Sequence, residues 1–312
     1  MTTTQSPRSV LFFPGTRPDR YGKALASGAD VVCLDLEDAV AEDEKHVARD
    51  HAARLVSSNR WEAPRAMIRI NHPASPDGRE DLRAILAAAA AGPLPLRLML
   101  PKTDGPGDLD VVRRACAAAA VAVRLVPVIE TARGLAEVER IAAAEGVDAL
   151  LFGGADLSVD LGCALAWEPL LFARSRMVHA AALGRVAALD VPFFDVRDPD
   201  ALRAEARAVR RLGFTGKAAV HPDQIRPIHE AFTPTEEEVR RAIRVLEAVV
   251  EHGGGAALVD GSMVDRPVVE AARRTLARAG VVPPEEAPRQ VSRSQVSRSR
   301  VDPPNRIEDD PA

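Results

Sequence analysis

Eight short apolar runs, each followed by a stretch with helical spacing, recur along the chain and leave it few folds to choose from. The runs cover residues 9–13, 31–36, 66–70, 96–100, 124–129, 149–152, 186–189 and 217–220. Continuous apolar runs this short, bounded by Gly, Pro or polar residues, read as strands buried on both faces. Helical patterns lie between them over 18–27, 43–57, 79–91, 108–120, 134–144, 167–183 and 200–212, with a further pair at 223–231 and 235–251. Start signals such as Thr233-Pro-Thr-Glu-Glu-Glu238 support several of these helices. Eight alternations predict an α/β protein built as a closed (β/α)8 TIM barrel. An open doubly wound sheet is the competing architecture. It is disfavoured because Phe13-Pro-Gly-Thr-Arg17 after the first run is no Gly-x-Gly-x-x-Gly dinucleotide loop.

Composition narrows the class. At 312 residues and 46% hydrophobic, the chain can fill a large core, and with 4% aromatic residues it fills it mostly with alanine and leucine. A formal net charge of −4 gives no basic surface for nucleic acid. No run reaches the ~18 apolar residues of a membrane span, and the first residues lack the charged and apolar segments of a signal peptide. Cys33, Cys116 and Cys163 are widely spaced, with neither disulfide nor zinc spacing. A cytoplasmic enzyme is expected. The barrel is expected over 8–252, a helical extension packing on a neighbouring subunit over 253–282, and a disordered tail over 283–312, where the polar repeat Gln290-Val-Ser-Arg-Ser, Gln295-Val-Ser-Arg-Ser offers little to bury.

Acids gather where barrel strands end. Val126-Pro-Val-Ile-Glu-Thr-Ala-Arg-Gly134 places Glu130 after one strand, Leu151-Phe-Gly-Gly-Ala-Asp-Leu157 places Asp156 after the next, and Leu34-Asp-Leu-Glu-Asp-Ala39 brings Asp35, Glu37 and Asp38. In a barrel these ends share one rim, and clustered carboxylates repel unless a cation joins them. Two direct carboxylates with oxygen ligands suit Mg2+, held by Glu130 and Asp156 with Glu37 and Asp38 behind. Arg69, inside an apolar strand, is costly unless paired. Either it forms an ion pair with Asp35 or Glu37, or it clamps a substrate carboxylate or enolate oxygen. Lys102 is expected to bridge to a rim acid rather than form a Schiff base, since carboxylates keep an amine protonated. Gly153, Gly154 and Ala155 suit close approach of backbone amides to an anion, and a tight turn asks for the same residues. His221, before Pro222, reads as a hydrogen-bonded rim residue. Arg17, Arg20 and Lys23 read either as contacts for phosphates or as an ordinary solvated helix start.

Eight motifs in order resemble the HpcH/HpaI aldolase–citrate lyase superfamily, and within it the citrate lyase β-subunit-like CoA-ester lyases, over about residues 8–280. They are Arg8-Ser-Val-Leu-Phe-Phe-Pro-Gly15, Leu34-Asp-Leu-Glu-Asp-Ala-Val40, Ile68-Arg-Ile-Asn71, Leu100-Pro-Lys102, Ile129-Glu-Thr-Ala-Arg-Gly134, Phe152-Gly-Gly-Ala-Asp-Leu157, Gly213-Phe-Thr-Gly-Lys217 and Val220-His-Pro-Asp-Gln-Ile225. The resemblance implies Mg2+ on Glu130 and Asp156, Arg69 on substrate and enolate, a CoA or carrier thioester substrate, and a trimer or a multiple of one. Gly261-Ser-Met-Val-Asp-Arg-Pro267 looks like the C-terminal motif of malyl-CoA and citramalyl-CoA lyases, whose aspartate, here Asp265, serves the active site of a neighbouring subunit. The expectation is retro-Claisen cleavage of a 3-hydroxyacyl-CoA to acetyl-CoA and an α-keto acid. The base stays open between Glu37 and a water on the metal. The competing readings are a citrate lyase β subunit acting on a citryl carrier protein, a metal-dependent pyruvate aldolase, and a non-catalytic acyl-CoA-binding subunit.

Overall fold

Both faces of the strand runs are apolar because each strand is sandwiched between the barrel interior and a helix. The computed structural model describes residues 6–89, 95–251 and 257–284. In it the runs form parallel strands β1 (Ser9–Pro14), β2 (Val31–Asp35), β3 (Ala66–Arg69), β4 (Leu96–Leu100), β5 (Val123–Ile129), β6 (Ala149–Phe152), β7 (Ala187–Asp190) and β8 (Gly216–Ala219). They hydrogen-bond in chain order, and β8 pairs back onto β1 through Ser9↔Lys217 and Leu11↔Ala219. That closure rules out the open doubly wound sheet.

Alternation along each strand sorts the side chains into two layers. Val10, Val31, Cys33, Met67, Met99, Val126, Val128, Leu151 and Leu189 form one buried cluster, the barrel interior. Their neighbours Leu11, Val32, Leu34, Ile68, Leu98 and Leu150 join a second cluster with the helices. Continuing the inward rows toward the strand ends reaches Phe12, Asp35, Arg69 and Glu130, so the chemistry sits atop the apolar interior at the C-terminal face.

The helices are α1 (Arg20–Ala26), α2 (Lys45–Val56), α3 (Pro76–Ala89), α4 (Pro106–Ala118), α5 (Ala132–Ala136), α6 (Val138–Ala142), α7 (Gly154–Asp160), α8 (Trp167–Gly184), α9 (Pro199–Leu212), α10 (Ile225–Phe232), α11 (Glu236–Glu251) and α12 (Arg266–Ala279). Capping explains sharp boundaries. Asp198 accepts the Ala201 amide at 2.9 Å ahead of Pro199, and α9 ends at Gly213 with φ 117°. The single helix expected over 134–144 is instead α5 and α6, broken at Glu137. The short α7 has no counterpart among the sequence expectations. Among the described residues no helix is long and apolar enough to cross a membrane.

The chain divides into two compact units, 1–233 and 234–312. The expected boundary at 252 therefore moves. The apolar stripe of α11 (Ala242, Val245, Leu246) is buried against Val269, Ala272 and Leu276 of α12, which puts α11 in the second unit. Within the segment expected as a helical extension, an antiparallel hairpin of β9 (Ala257–Val259) and β10 (Ser262–Val264) precedes α12. Residues 285–312, nearly all of the expected disordered tail, lie outside the described residues.

Candidate active site

A cavity of about 310 Å3 opens at the C-terminal end of the barrel, lined by Phe12, Asp35, Arg69, Glu130 and Asp156 among others. Its central cation is Arg69, at the end of β3, with a side chain only 12% exposed. Arg69 Nε donates to Asp35 Oδ1 at 2.7 Å and Nη2 to Asp35 Oδ2 at 2.5 Å. Its Nη1 donates to Asp38 Oδ2 at 3.1 Å and lies 2.8 Å from Glu37 Oε2. The guanidinium also covers the Phe12 ring, 5.1 Å from its centroid. Of the two roles open to it, the ion pair with Asp35 and Glu37 is thus present in the structure. Burial alone would lower the Arg69 pKa, but the three carboxylates outweigh it and raise it.

Asp35 also shapes the loop after β2. Its carboxylate accepts the amides of Glu37 at 2.9 Å and Ala39 at 3.1 Å. From beneath, buried Lys45 donates to the carbonyls of Leu36 at 3.1 Å and Glu37 at 2.8 Å, and to Asn71 Oδ1 at 2.8 Å. Asn71 Nδ2 in turn reaches Asp81 Oδ2 at 2.8 Å, and Arg49 Nε closes the chain on Asp81 Oδ1 at 2.7 Å. Sequence reasoning passed over Lys45, Arg49 and Asp81. The one available signal was a lysine and an aspartate on helix faces otherwise turned to the core. Within the loop, burial pushes the Glu37 carboxyl above its ordinary value despite Arg69. Asp38, which burial would also raise, is held below its ordinary value by the hydrogen bond with Glu37 and the charge of Arg69.

Glu130 follows β5 and is buried, whereas Asp156 lies in the first turn of α7 with a side chain 44% exposed. Asp156, expected just past the strand, is carried there by the first turn of α7. Glu130 is pushed up to about 7, chiefly by burial, with the Lys102 amide opposing and the charges of Glu37 and Asp156 adding to the rise. Lys102 donates its backbone N–H to Glu130 Oε1 at 2.6 Å and its ammonium to Glu37 Oε1 at 2.6 Å, with Nζ 3.4 Å from Asp156 Oδ2. The rim salt bridge expected of Lys102 is therefore present; burial would lower its pKa, but Glu37, Glu130 and Asp38 raise it.

The small residues serve close packing. A Cβ on Gly153 would lie 2.5 Å from Glu130 Oε2 and closer still to its Cβ, so only glycine lets the two segments meet. A Cβ on Gly154 would meet the Phe152 ring at 2.9 Å. Gly153 and Ala155 line the cavity and Gly154 does not, so of the expected anion nest Gly154 is the residue turned away from the site.

Of the remaining expected residues, those in the first unit do not line the cavity. Arg17 is exposed and paired with Asp19 at 2.9 Å, and Arg20 and Lys23 are exposed on the segment that follows β1. Asp265 is in the second unit, where its side chain caps α12 by accepting the Val268 amide at 3.3 Å. His221 accepts the Asp223 amide at 3.2 Å, as a rim residue should. Lys217 is fully buried and donates to Asp190 at 2.5 Å and Glu205 at 2.6 Å.

Among the described residues no group of three or more His, Cys, Asp or Glu side chains is arranged to enclose a metal. Glu130 and Asp156 nonetheless line one cavity, each within reach of the other's charge, and an ammonium already bridges the cluster. Two carboxylates on an open site, with the remaining positions left to water and substrate, are what Mg2+ accepts.

Comparison with known proteins shows the family. Residues 8–222 match the family described as HpcH/HpaI aldolase/citrate lyase, and residues 177–282 match a C–C bond lyase of the TIM-barrel fold. The chain is 32% identical to the mitochondrial citramalyl-CoA lyase of Rattus norvegicus, over 87% of this chain and 86% of that protein. It is also 32% identical to the L-malyl-CoA/β-methylmalyl-CoA lyase of Cereibacter sphaeroides, over 88% and 95%. The crystal structure of CitE from Mycobacterium tuberculosis in complex with magnesium, acetoacetate and coenzyme A superposes with a TM-score of 0.76 at 34% identity, covering 89% of this chain and 99% of that one. With its barrel, its rim of acids and these matches taken together, the chain belongs to the HpcH/HpaI aldolase/citrate lyase family.

Proposed function

We propose that the protein is a Mg2+-dependent carbon–carbon lyase that cleaves a 3-hydroxyacyl-CoA of the citramalyl-CoA or malyl-CoA type to acetyl-CoA and an α-keto acid. The observation that carries this reading is the sharing of one cavity by Arg69, Asp38 and the carboxylates of Glu130 and Asp156, with Glu37 2.8 Å from the Arg69 guanidinium. Citramalyl-CoA and malyl-CoA lyases among the relatives, and CoA with magnesium in the CitE complex, supply the substrate class.

Glu130 and Asp156 would hold Mg2+, which supplies Lewis-acid polarisation and a template for the substrate carboxylate and hydroxyl. Arg69 is anchored by Asp35, so its Nη1 edge, now on Glu37 and Asp38, is the edge offered to a substrate anion. Glu37 is the candidate base for the carbinol hydroxyl. As that proton leaves, the hydroxyl oxygen forms the keto carbonyl and the bond to the α-carbon of the thioester breaks. Its electron pair passes to the thioester carbonyl as an enolate. Arg69 faces that charge where it develops, and a proton returned to carbon completes acetyl-CoA. Asp265 of a neighbouring copy would deliver that proton, which calls for a homotrimer or a multiple of one. Arg17, Arg20 and Lys23, exposed beyond β1, would meet the CoA phosphates. A cytoplasmic setting accords with three free cysteines and no membrane-spanning helix among the described residues.

The test is keto-acid release from citramalyl-, malyl-, 3-hydroxy-3-methylglutaryl- and citryl-thioesters, with and without Mg2+. Turnover of a CoA ester that needs Mg2+ and vanishes in Glu130→Ala is expected. Activity confined to a citryl carrier protein, or unchanged by omitting CoA, would redirect the function to a citrate lyase subunit or a pyruvate aldolase.

A further inference from the structure

Lys102 engages three of the rim acids at once. Its backbone N–H holds Glu130, its ammonium bonds Glu37 at 2.6 Å, and the same nitrogen stands 3.4 Å from Asp156. The residue adopts a left-handed backbone with φ 48°, which a side chain bearing a Cβ adopts only at a cost. That conformation lets the amide face Glu130 while the side chain turns toward Glu37 and Asp156. Gly153 meanwhile leaves no atom between its own backbone and the Glu130 carboxylate. One residue thus contacts Glu37 and Asp156 through its ammonium and Glu130 through its backbone amide, while Glu37 is shared with the Arg69 guanidinium.

From this geometry we infer that Lys102 is the internal counter-ion of the acid cluster and competes with the divalent cation for Asp156. The inference rests on the assignment of Mg2+ to Glu130 and Asp156. The two contacts of the ammonium differ in kind. The Glu37 contact is short and partly buried, whereas the Asp156 contact is longer and both side chains are 44% exposed. When Mg2+ takes Asp156, the ammonium gives up the longer contact and stays on Glu37, which is no proposed ligand. Lys102 then serves as a positioning residue in two states. Without metal it neutralises an otherwise repulsive rim. With metal it holds Glu37 beside the reacting hydroxyl. Its presence weakens the intrinsic pull of the site on the cation, so metal and thioester are best retained together, when the substrate carboxylate adds its own charge.

The experiment measures Mg2+ binding to substrate-free protein by calorimetry, and thermal unfolding in EDTA, for the wild type, Lys102→Met, Lys102→Arg and Glu130→Ala. Met has Lys-like length and no β-branch, so it meets the same backbone requirement as Lys; Arg keeps the charge. Lys102→Met is expected to bind Mg2+ about tenfold more tightly than the wild type, because a nearby like charge is gone. In EDTA it should melt about 2–4 °C lower. Lys102→Arg should bind Mg2+ as the wild type does, and Glu130→Ala should not bind it. Unchanged or weaker binding by Lys102→Met, while Glu130→Ala has lost it, overturns the competition and leaves the metal assignment standing. Absence of binding by every protein, or binding undiminished in Glu130→Ala, overturns the metal assignment and the inference with it.

Discussion

The guanidinium of Arg69 grips the carboxylate of Asp35 through two parallel hydrogen bonds, 2.7 and 2.5 Å long, between neighbouring strands of the barrel. The two residues are register partners on β3 and β2, so backbone pairing alone sets them side by side. Asp35 is almost completely buried and also orders the loop bearing Glu37. Asp35→Asn keeps the shape and removes the charge. It should lower kcat/KM by about 100-fold, as Arg69 loses its planar anchor, and cost about 1–3 kcal/mol of stability, since the charge-assisted bonds to Asp35 are lost while Glu37 and Asp38 still pair with the guanidinium. Thioester cleavage assays and urea melts check both; a variant as stable and as active as the wild type would remove Asp35 from this role.

Gly153→Ala tests the packing behind the proposed metal ligand. The added methyl would press on the Glu130 carboxylate from 2.5 Å, so that side chain must leave its position. Mg2+ affinity measured by calorimetry should fall about 10–100-fold, the range seen when the support of a ligand is disturbed. Unaltered affinity would mean that Glu130 tolerates displacement.

Lys217→Met probes the buried charge network between the barrel and its helices. Lys217 and Asp190 pair across β8 and β7 with neither side chain exposed, and Arg174 donates to the same aspartate at 3.1 Å. Replacing the lysine leaves Asp190 and Glu205 without the ammonium between them, and stability should drop by about 3–5 kcal/mol. Denaturant unfolding measures this directly, and a change under about 1 kcal/mol would contradict it.

Acid should loosen the barrel floor through His229. Burial holds its pKa below the ordinary 6.5, with Arg8 adding and Asp30 opposing. Ser9 Oγ accepts the Asp30 amide at 3.0 Å and lies 2.8 Å from His229 Nε2, so the serine hydroxyl is placed to donate to a neutral imidazole. The unfolded chain takes up a proton at the ordinary value and the folded chain only at lower pH. The associated stability is therefore present above pH 6.5 and lost as pH falls below it. Wild-type protein should lose more stability between pH 7.5 and 5.5 than His229→Gln, as read by urea midpoints; equal losses would show that His229 contributes nothing.

The order and type of the barrel elements were determined by local pattern. Strands buried on both faces need continuous apolar runs, and all eight runs became strands within one or two residues of their expected limits. Glu130, Asp156, Arg69 and the Glu37–Asp38 pair were legible because charge is conspicuous at the end of an apolar run. The short helix α7 was not, because Gly-Gly-Ala carries no helical periodicity and the segment is held by its surroundings. Tertiary structure alone decided which charges meet. Arg49 with Asp81, and Lys217 with Asp190 and Glu205, are partners far apart in sequence. Their pairing depends on strand register and helix placement, and no local pattern encodes it. The boundary after Thr233 has the same origin, since the apolar stripe of α11 announces burial without naming the helix that provides it.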